Sequence, residues 1–214
     1  MLDSLQHRGR RGRLVKELSG KYPYSEEVLK AIGTVPRHIF VDAGLDHLAY
    51  QDQPLPIAAR QTISQPSTVA LQSHLLGIKK WDKVLEVGTG CGYQTAVLAL
   101  MGARVYSIER QKELYLAAQK NLARMECLAP LLFLGDGYAG LPGFAPFRGI
   151  VVTCGAPEIP RRLLLQLEIG GKMVIPVGNG KQEMFVITRK SEWEFDSVSH
   201  GECSFVPMLG GVNK

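Results

Sequence analysis

The stretch that decides the fold is Val84-Leu85-Glu86-Val87-Gly88-Thr89-Gly90-Cys91-Gly92-Tyr93-Gln94-Thr95. Its apolar start predicts a buried parallel strand with an acid near its end, and residues 95–100 predict a helix. Three glycines at alternating positions join the two. A strand, a glycine turn and a helix are typical of the first unit of a doubly wound α/β sheet, whose ligands bind at the carboxyl ends of the strands. Glycines in such a turn let the backbone approach a ligand closely.

The spacing of these glycines narrows the choice of ligand. A dinucleotide fingerprint places its third glycine three residues after the second, where this chain has Tyr93. The glycine turn is not followed by a Lys-Ser/Thr pair that could cradle phosphates, which excludes a P-loop. The carboxylate of Glu86 would repel a pyrophosphate, but it suits a ligand with an ammonium and a sulfonium group. We therefore predict S-adenosylmethionine as the cofactor, with an ordinary glycine turn as the alternative.

Length and composition are those of a single globular domain in the cytoplasm. The chain has 214 residues, of which 45% are hydrophobic and 21% charged. We find no apolar run typical of a signal peptide or a membrane span. The cysteines Cys91, Cys127, Cys154 and Cys203 and the five histidines are scattered, so we expect reduced thiols and no metal site. Much of the net charge of +5 lies in residues 8–16, which favours a solvated helix face over a nucleic-acid arm.

Hydrophobic periodicity predicts additions at both ends of the doubly wound core. Predicted helices cover 5–18, 25–33, 42–50, 66–76, 111–124 and 163–167. Further strands are predicted at 104–108, 131–134, 149–153, 172–177, 183–188 and 193–199. We expect one domain, 1–214, with N-terminal helices and a substrate segment (1–80), a cofactor-binding core (81–180) and C-terminal strands (181–214).

Two further acids follow later strands of the predicted sheet. Glu109 lies about twenty residues past the glycine turn, where an acid can accept hydrogen bonds from both ribose hydroxyls. The alternative is an exposed acid that begins the next helix. Asp136 could accept the adenine amino group between two glycines, although Gly-Asp-Gly is also a common turn. The predicted cofactor-binding set is Glu86, Gly88, Thr89, Gly90, Gly92, Glu109, Arg110, Asp136 and Gly137.

Ser64 precedes a predicted helix that starts at Pro66. On spacing alone, Ser64 or Gln65 is expected to cap that helix. The functional alternative is a hydroxyl and free amides at a helix start, which can bind an anion such as a carboxylate.

The sequence resembles the protein-L-isoaspartate O-methyltransferase family over nearly its whole length. The resemblance is carried by Val35-Pro36-Arg37-His38, Leu55-Pro56-Ile57, Gln61-Thr62-Ile63-Ser64-Gln65-Pro66, the glycine turn, Gly135-Asp136-Gly137, Ala156-Pro157-Glu158-Ile159-Pro160, Gly170-Gly171, Pro176-Val177-Gly178 and Phe205-Val206-Pro207. The glycine turn is shared by many methyltransferases. Thr-Ile-Ser-Gln-Pro is more particular to this family and raises Ser64 from a cap to a predicted active-site residue.

The resemblance implies a repair enzyme that acts as a monomer on aged proteins and peptides, and not on nucleic acid or membranes. Such enzymes methylate the free α-carboxyl of L-isoaspartyl residues and the side-chain carboxyl of D-aspartyl residues, and the ester then collapses to a succinimide. Ser64 is the implied catalytic residue, while Thr62, Ile63, Val206 and Pro207 are implied to contact the substrate. A carboxylate is already ionised at neutral pH, so no general base is expected.

The sequence departs from the family pattern at two places, and two alternative functions stay open. Ala58-Ala59-Arg60 stands where glycines are expected, and Ser67 replaces a large residue, which puts peptide preference in doubt. A methyltransferase of RNA or of a small molecule is the main alternative. The place after the fourth strand holds Thr153-Cys154-Gly155, which lacks the Asn/Asp-Pro-Pro-aromatic motif of nucleic-acid amino methylases, and Cys154 as a nucleophile is less favoured than a structural thiol. The other alternative is a non-catalytic S-adenosylmethionine-binding module.

Overall fold

A seven-stranded sheet forms the centre of the computed structural model, which describes residues 3–125 and 129–213. Its strands are β3 (Lys83–Val87), β4 (Arg104–Glu109), β5 (Leu131–Leu134), β6 (Phe147–Val152), β7 (Leu167–Val177), β8 (Gln182–Arg189) and β9 (Phe195–Cys203). A separate two-stranded ribbon consists of β1 (Leu55–Pro56) and β2 (Thr62–Ile63). The α-helices are α1 (Leu5–Lys21), α2 (Glu26–Thr34), α3 (Pro66–Leu76), α4 (Tyr93–Leu100), α5 (Lys112–Leu122) and α6 (Arg161–Leu164). Cys127 lies outside the described residues.

The order of the strands confirms the predicted doubly wound fold. The sheet runs β5-β4-β3-β6-β7-β8-β9, and its first five strands are parallel. From β3 the chain adds β4 and β5 on one side and then crosses to β6 on the other side of β3, so the strand order reverses between β3 and β6. This switch point opens a crevice at the carboxyl end of β3, where ligands of such sheets bind. The two C-terminal strands join the same sheet in antiparallel pairing.

Helices cover both faces of the parallel strands, which explains why β3 is apolar without alternation. Leu85 packs in a cluster with Leu163 of α6, whereas Val84 packs with Leu76 of α3 in another cluster. All four side chains are buried. The glycine turn that follows β3 is therefore held from both sides of the sheet.

The N-terminal helices follow their capping signals. The Ser25 hydroxyl accepts a hydrogen bond from the Val28 amide at the start of α2 and so caps this helix. The predicted helix at 42–50 is a 3₁₀ helix at Ala43–Leu48, which Asp42 caps through the Gly44 amide. Within the described part of the chain, no helix has the length and apolar character needed to cross a bilayer.

The predicted helix at 163–167 is wrong at its C-terminal end. α6 ends at Leu164, and Leu167 instead begins β7, where it is buried and pairs with Phe147 of β6. The strand then passes through both glycines that were expected to precede it. A Cβ on Gly171 would lie 2.9 Å from the Glu168 carbonyl oxygen and 3.0 Å from the Arg148 carbonyl oxygen of β6. Only glycine therefore lets β7 lie this close to β6 at that point.

Candidate functional site

A cleft of about 850 Å³ opens at the carboxyl ends of β3, β4 and β6. The predicted site residues that line it are Thr62, Ile63, Ser64, Gly88, Thr89, Gly90, Glu109, Arg110, Gly137, Val206 and Pro207. The structure therefore brings the predicted cofactor-binding turn and the predicted substrate segments around a single cleft.

The glycine turn presents its backbone to the cleft. Gly88 has a φ of 98°, and a Cβ there would lie 2.5 Å from Thr153 Oγ1. The Thr153 hydroxyl donates to the Gly88 carbonyl at 2.6 Å, so it cannot move aside without losing that bond. A Cβ on Gly137 would lie 2.6 Å from Val87 Cγ1. Neither position has room for a Cβ, because side chains of Thr153 and Val87 already occupy that space, so only glycine fits these two parts of the cleft lining.

Glu109 points its carboxylate at the turn from the end of β4. Oε2 accepts a hydrogen bond from the Gly90 amide at 2.8 Å, and Oε1 accepts one from the Gln111 amide at 2.8 Å. Each carboxylate oxygen can accept more than one bond, so both keep capacity for a ligand. The side chain is only 5% exposed and is rigidly placed to accept from hydroxyls.

Glu86 lies behind the turn, and its side chain does not line the cleft. The carboxyl is fully buried, and the Thr95 hydroxyl donates to Oε2 at 2.5 Å. Oε1 has no hydrogen-bond partner among the described residues. Burial raises the pKa of Glu86 to about 8, against the opposing effect of the neighbouring Thr95 and Ser107 hydroxyls. At neutral pH this acid is therefore mostly protonated, and it ties β3 to α4.

Gly92 and Asp136 also lie outside the lining of the cleft. A Cβ on Gly92 would lie 3.1 Å from Leu122 Cδ1, so this glycine allows α4 to approach α5. Asp136 Oδ1 accepts from the Tyr138 amide and Oδ2 from the Gly211 amide, both at 2.9 Å. In this structure Asp136 therefore anchors the C-terminal tail beside the cleft.

Ser64 follows β2 and leads into α3. The N-cap residue of α3 is Gln65, whose side chain makes no capping hydrogen bond, and the Asp52 carboxylate accepts from the Ser67 amide in the first turn, so the capping explanation for Ser64 does not hold in the structure. Within the described residues, its hydroxyl has no hydrogen-bond partner, whereas its carbonyl accepts from Arg37 Nη2 at 3.1 Å. Pairing of β1 with β2 fixes the segment ahead of it. The hydroxyl is thus available to a ligand.

Several residues that line the cleft were not predicted from the sequence. They include Gln61, Gln111, Thr153 and Met208. Thr153 directly follows β6, so the rule that ligands bind at the carboxyl ends of strands could have found it. Met208 gives no such signal, because its place depends on the C-terminal segment: its amide donates to the Gly155 carbonyl at 2.8 Å.

The two cysteines that line the cleft are poor nucleophiles. Burial raises the pKa of Cys91 to about 11 and that of Cys154 to about 12. Neither thiol is ionised to a useful degree at neutral pH. This agrees with a structural role for Cys154 and argues against its attack on a pyrimidine.

The basic N-terminal segment lies away from the cleft, together with a small group of possible metal ligands. Asp3, His7 and His38 come within 4.8 Å of one another through possible metal-ligating atoms, the only such group among residues 3–125 and 129–213. Arg8 and Arg11 both form ion pairs with the Asp3 carboxylate, which satisfies that charge without a metal. Arg11 also donates to the Gly33 carbonyl at 2.8 Å, so part of the basic cluster is structural.

The cleft fits S-adenosylmethionine in its chemistry. Gly88 and Gly137 contribute backbone to the lining of the cleft, and Glu109 lines it as well. No lysine lines the described cleft, and Arg110 donates its guanidinium hydrogens to the Gly210 and Gly211 carbonyls of the tail. This donor set suits a nucleoside with free hydroxyls and a cationic end better than it suits a phosphate.

Comparisons with known proteins agree with this geometry. Residues 10–213 match the family model described as Protein-L-isoaspartate(D-aspartate) O-methyltransferase (PCMT). The chain is 54% identical to a Protein-L-isoaspartate O-methyltransferase of Christiangramia forsetii over 213 residues, which cover 100% of both chains. A solved structure of a protein-L-isoaspartate O-methyltransferase matches with a TM-score of 0.86 and 30% identity, over 94% of this chain and 67% of that one.

A second solved structure supports the fold alone. It is a putative protein-L-isoaspartate O-methyltransferase from Plasmodium falciparum in complex with S-adenosyl-L-homocysteine. The match has a TM-score of 0.81 and 23% identity, and it covers 93% of this chain and 98% of that one.

Proposed function

The chain belongs to the protein-L-isoaspartate(D-aspartate) O-methyltransferase family, and we propose that it repairs damaged proteins by carboxyl methylation. It transfers a methyl group from S-adenosylmethionine to the free α-carboxyl of L-isoaspartyl residues and to the β-carboxyl of D-aspartyl residues. One observation carries the proposal: the segment Thr62 to Ser64 and the glycine turn line the same cleft. A carboxylate bound by the one can therefore meet a cofactor bound by the other.

We propose that the glycine turn and the acids around it hold the cofactor. S-adenosylmethionine, when bound, supplies the methyl group in activated form on a sulfonium sulfur. Gly88, Gly90 and Gly137 present backbone to it along the lining of the cleft, and Glu109 accepts from its ribose hydroxyls. Thr89, whose hydroxyl shares a 2.6 Å hydrogen bond with Ser107, and Arg110 complete the wall.

The other predicted cofactor residues act from behind this wall. Glu86 fixes the end of β3 through Thr95, and Gly92 lets α4 pack against α5. Asp136 holds the C-terminal tail through the Gly211 amide. Each of the three positions a lining element of the cleft, and direct contact of any of them with the cofactor stays a prediction.

We propose that Ser64 is the residue that orients the substrate carboxylate. The carboxylate arrives ionised, so the chain needs to hold it in place but does not need to remove a proton. The Ser64 hydroxyl donates a hydrogen bond to it, and Thr62 contacts the peptide beside it. Ile63, Val206 and Pro207 form apolar walls that keep water out of the cleft.

The wider setting follows from the same proposal. We expect a single domain over residues 1–214 that works as a monomer in the cytoplasm. Cys91, Cys154 and Cys203 are free thiols. The two edges of the sheet disfavour pairing between copies, because β5 has only four residues and the exposed strand β9 carries charges such as Asp196 and Glu202.

Transfer of labelled methyl groups to matched peptides tests the proposal. One peptide carries L-isoaspartate at a single position, and the other carries L-aspartate there. We expect a base-labile label only on the isoaspartyl peptide. Ser64→Ala should reduce this labelling strongly, while Ser67→Ala, a nearby serine that does not line the cleft, should leave most of it.

Labelling of neither peptide by an enzyme that still binds the cofactor would overturn the proposal. Methyl acceptors among RNA and small molecules would then be tested, with salt-dependent RNA binding as the first sign of a nucleic-acid substrate.

A further inference from the structure

Arg37 is a fully buried cation without a carboxylate partner. It is 0% exposed, and no ion pair joins its guanidinium to an acid among the described residues. It donates to the Ala49 carbonyl at 2.7 Å and to the Gln53 and Ser64 carbonyls at 3.1 Å each. Its Nε atom has no hydrogen-bond partner in the same part of the chain. Burying such a charge is unfavourable, and neutral carbonyls offset the cost only in part.

The guanidinium lies directly behind the wall of the cleft. Its nearest bond partner on that side is the carbonyl of Ser64, and its Cζ atom is 5.5 Å from the centre of the Tyr93 ring. Ser64 and Tyr93 both line the cleft. Burial lowers the pKa of Arg37 from its ordinary value, but a guanidinium stays charged at neutral pH. A positive charge is therefore fixed at the backbone carbonyl of Ser64, the residue that also carries the hydroxyl at the cleft.

We infer that Arg37 is a positioning residue for the substrate carboxylate: it fixes Ser64 at the cleft wall and supplies a buried positive charge that favours an anion there. This inference rests on the proposed function. The bonds to three carbonyls join the segments around Ala49, Gln53 and Ser64, so that the serine cannot shift independently. The charge acts through low-dielectric protein, where it is weakly screened.

Binding of two matched peptides separates charge from shape. The first peptide carries one L-isoaspartate with a free α-carboxylate, and the second carries the same residue with that group as a carboxamide. Affinities are measured by fluorescence anisotropy with S-adenosylhomocysteine present, so that no methyl transfer occurs. For the unmodified enzyme we expect the carboxylate peptide to bind more tightly. The ratio of the two dissociation constants reports the preference for the anion.

Substitutions at Arg37 test the origin of that ratio. Arg37→Met removes the charge and should reduce the ratio by about tenfold or more. Arg37→Lys retains a cation but not the planar fork, and it should keep most of the ratio while methyl transfer slows because Ser64 is held less firmly. An unchanged ratio in Arg37→Met, or equal loss in both variants, would overturn the inference.

A substitution away from Arg37 covers the case in which both variants fail to fold. The charge of Asp52 interacts with Arg37, and its carboxylate accepts from the Ser67 amide at 2.8 Å. Asp52→Asn preserves that acceptor and removes a negative charge that opposes both Arg37 and Lys21, its partner at 2.9 Å, so the ratio should increase, and it should still increase when Lys21→Met is present in both proteins. A decreased or constant ratio would contradict the inference. If the unmodified enzyme binds S-adenosylhomocysteine but neither peptide, the proposed function itself fails.

Discussion

The buried acid behind the glycine turn predicts how stability depends on pH. Glu86 is fully buried, and its pKa is raised from 4.5 to about 8 because burial disfavours the charged form. Below pH 4.5 the side chain is protonated in the folded and unfolded chain alike, so it contributes no dependence of stability on pH there. As the pH rises toward 8, the unfolded chain gains from ionisation and the folded chain does not. The stability that Glu86 contributes is therefore present at low pH and lost as the pH rises through the folded pKa.

The size of the effect follows from proton linkage. One proton held by the folded state alone changes the free energy of unfolding by about 1.4 kcal/mol per pH unit. Over the window between the two pKa values this amounts to about 5 kcal/mol. Glu86→Gln removes the titrating group but retains an acceptor for the Thr95 hydroxyl. Relative to the unmodified enzyme, the variant should become progressively more stable from about pH 5 to about pH 8 by most of this amount.

Urea unfolding at a series of pH values measures the difference directly. Other titrating groups are common to both proteins and cancel in the comparison. Glu113→Gln on the exposed surface of α5 is the matched control, and its curve should run parallel to that of the unmodified enzyme. If the Glu86→Gln curve also runs parallel, the carboxyl is ionised in the folded protein and the reasoning fails.

Three further predictions concern the backbone and the carboxylate around the cleft. Gly88→Ala should abolish binding of S-adenosylhomocysteine in calorimetry, because the added Cβ would meet Thr153. Gly143→Ala is the control and should bind normally, because no atom lies within 4 Å of a Cβ there. Equal affinities of the two variants would refute the prediction. Glu109→Gln should weaken the same binding by about tenfold or more, and unchanged affinity would contradict contact with the ribose. Ala59 has a φ of 54°, a left-handed conformation that glycine adopts more easily than alanine, so Ala59→Gly should raise the free energy of unfolding by about 0.5 kcal/mol. Ala58→Gly is the control and should lower it. Changes of the same sign in both variants would refute the prediction.

The glycine turn and the strands around it were predictable because their signals are local. A buried strand, closely spaced glycines and an apolar helix follow one another within residues 84–100, and neighbouring parallel strands bring their carboxyl ends to one edge. The start of β7 was not predictable in this way. The apolar run at 163–167 suits a helix or a buried strand equally, and only the pairing of Leu167 with Phe147 decides between them.

The roles of individual charged residues were less accessible to sequence reasoning. Glu86 lies in a strand buried on both faces, so no alternation shows whether its side chain meets a ligand or the core. Asp136 is held by the Gly211 amide, 75 positions along the chain. Arginine usually lies at the protein surface, yet Arg37 is fully buried. These contacts exist only after remote segments meet.

The distribution of charge in the cleft leads to one more prediction, about salt. Glu109 lies on the side of the glycine turn, and Arg37 lies behind Ser64 on the other side, an arrangement that suits a cationic cofactor opposite an anionic substrate. Arg37 is fully buried, whereas Arg60 beside the cleft is exposed. A buried charge is screened far less by salt than an exposed one. The preference for the carboxylate peptide over its carboxamide should therefore change by less than about twofold between about 0.05 and about 0.5 M NaCl. A preference that largely disappears at high salt, and that Arg60→Ala removes at low salt, would assign the attraction to the exposed arginine instead.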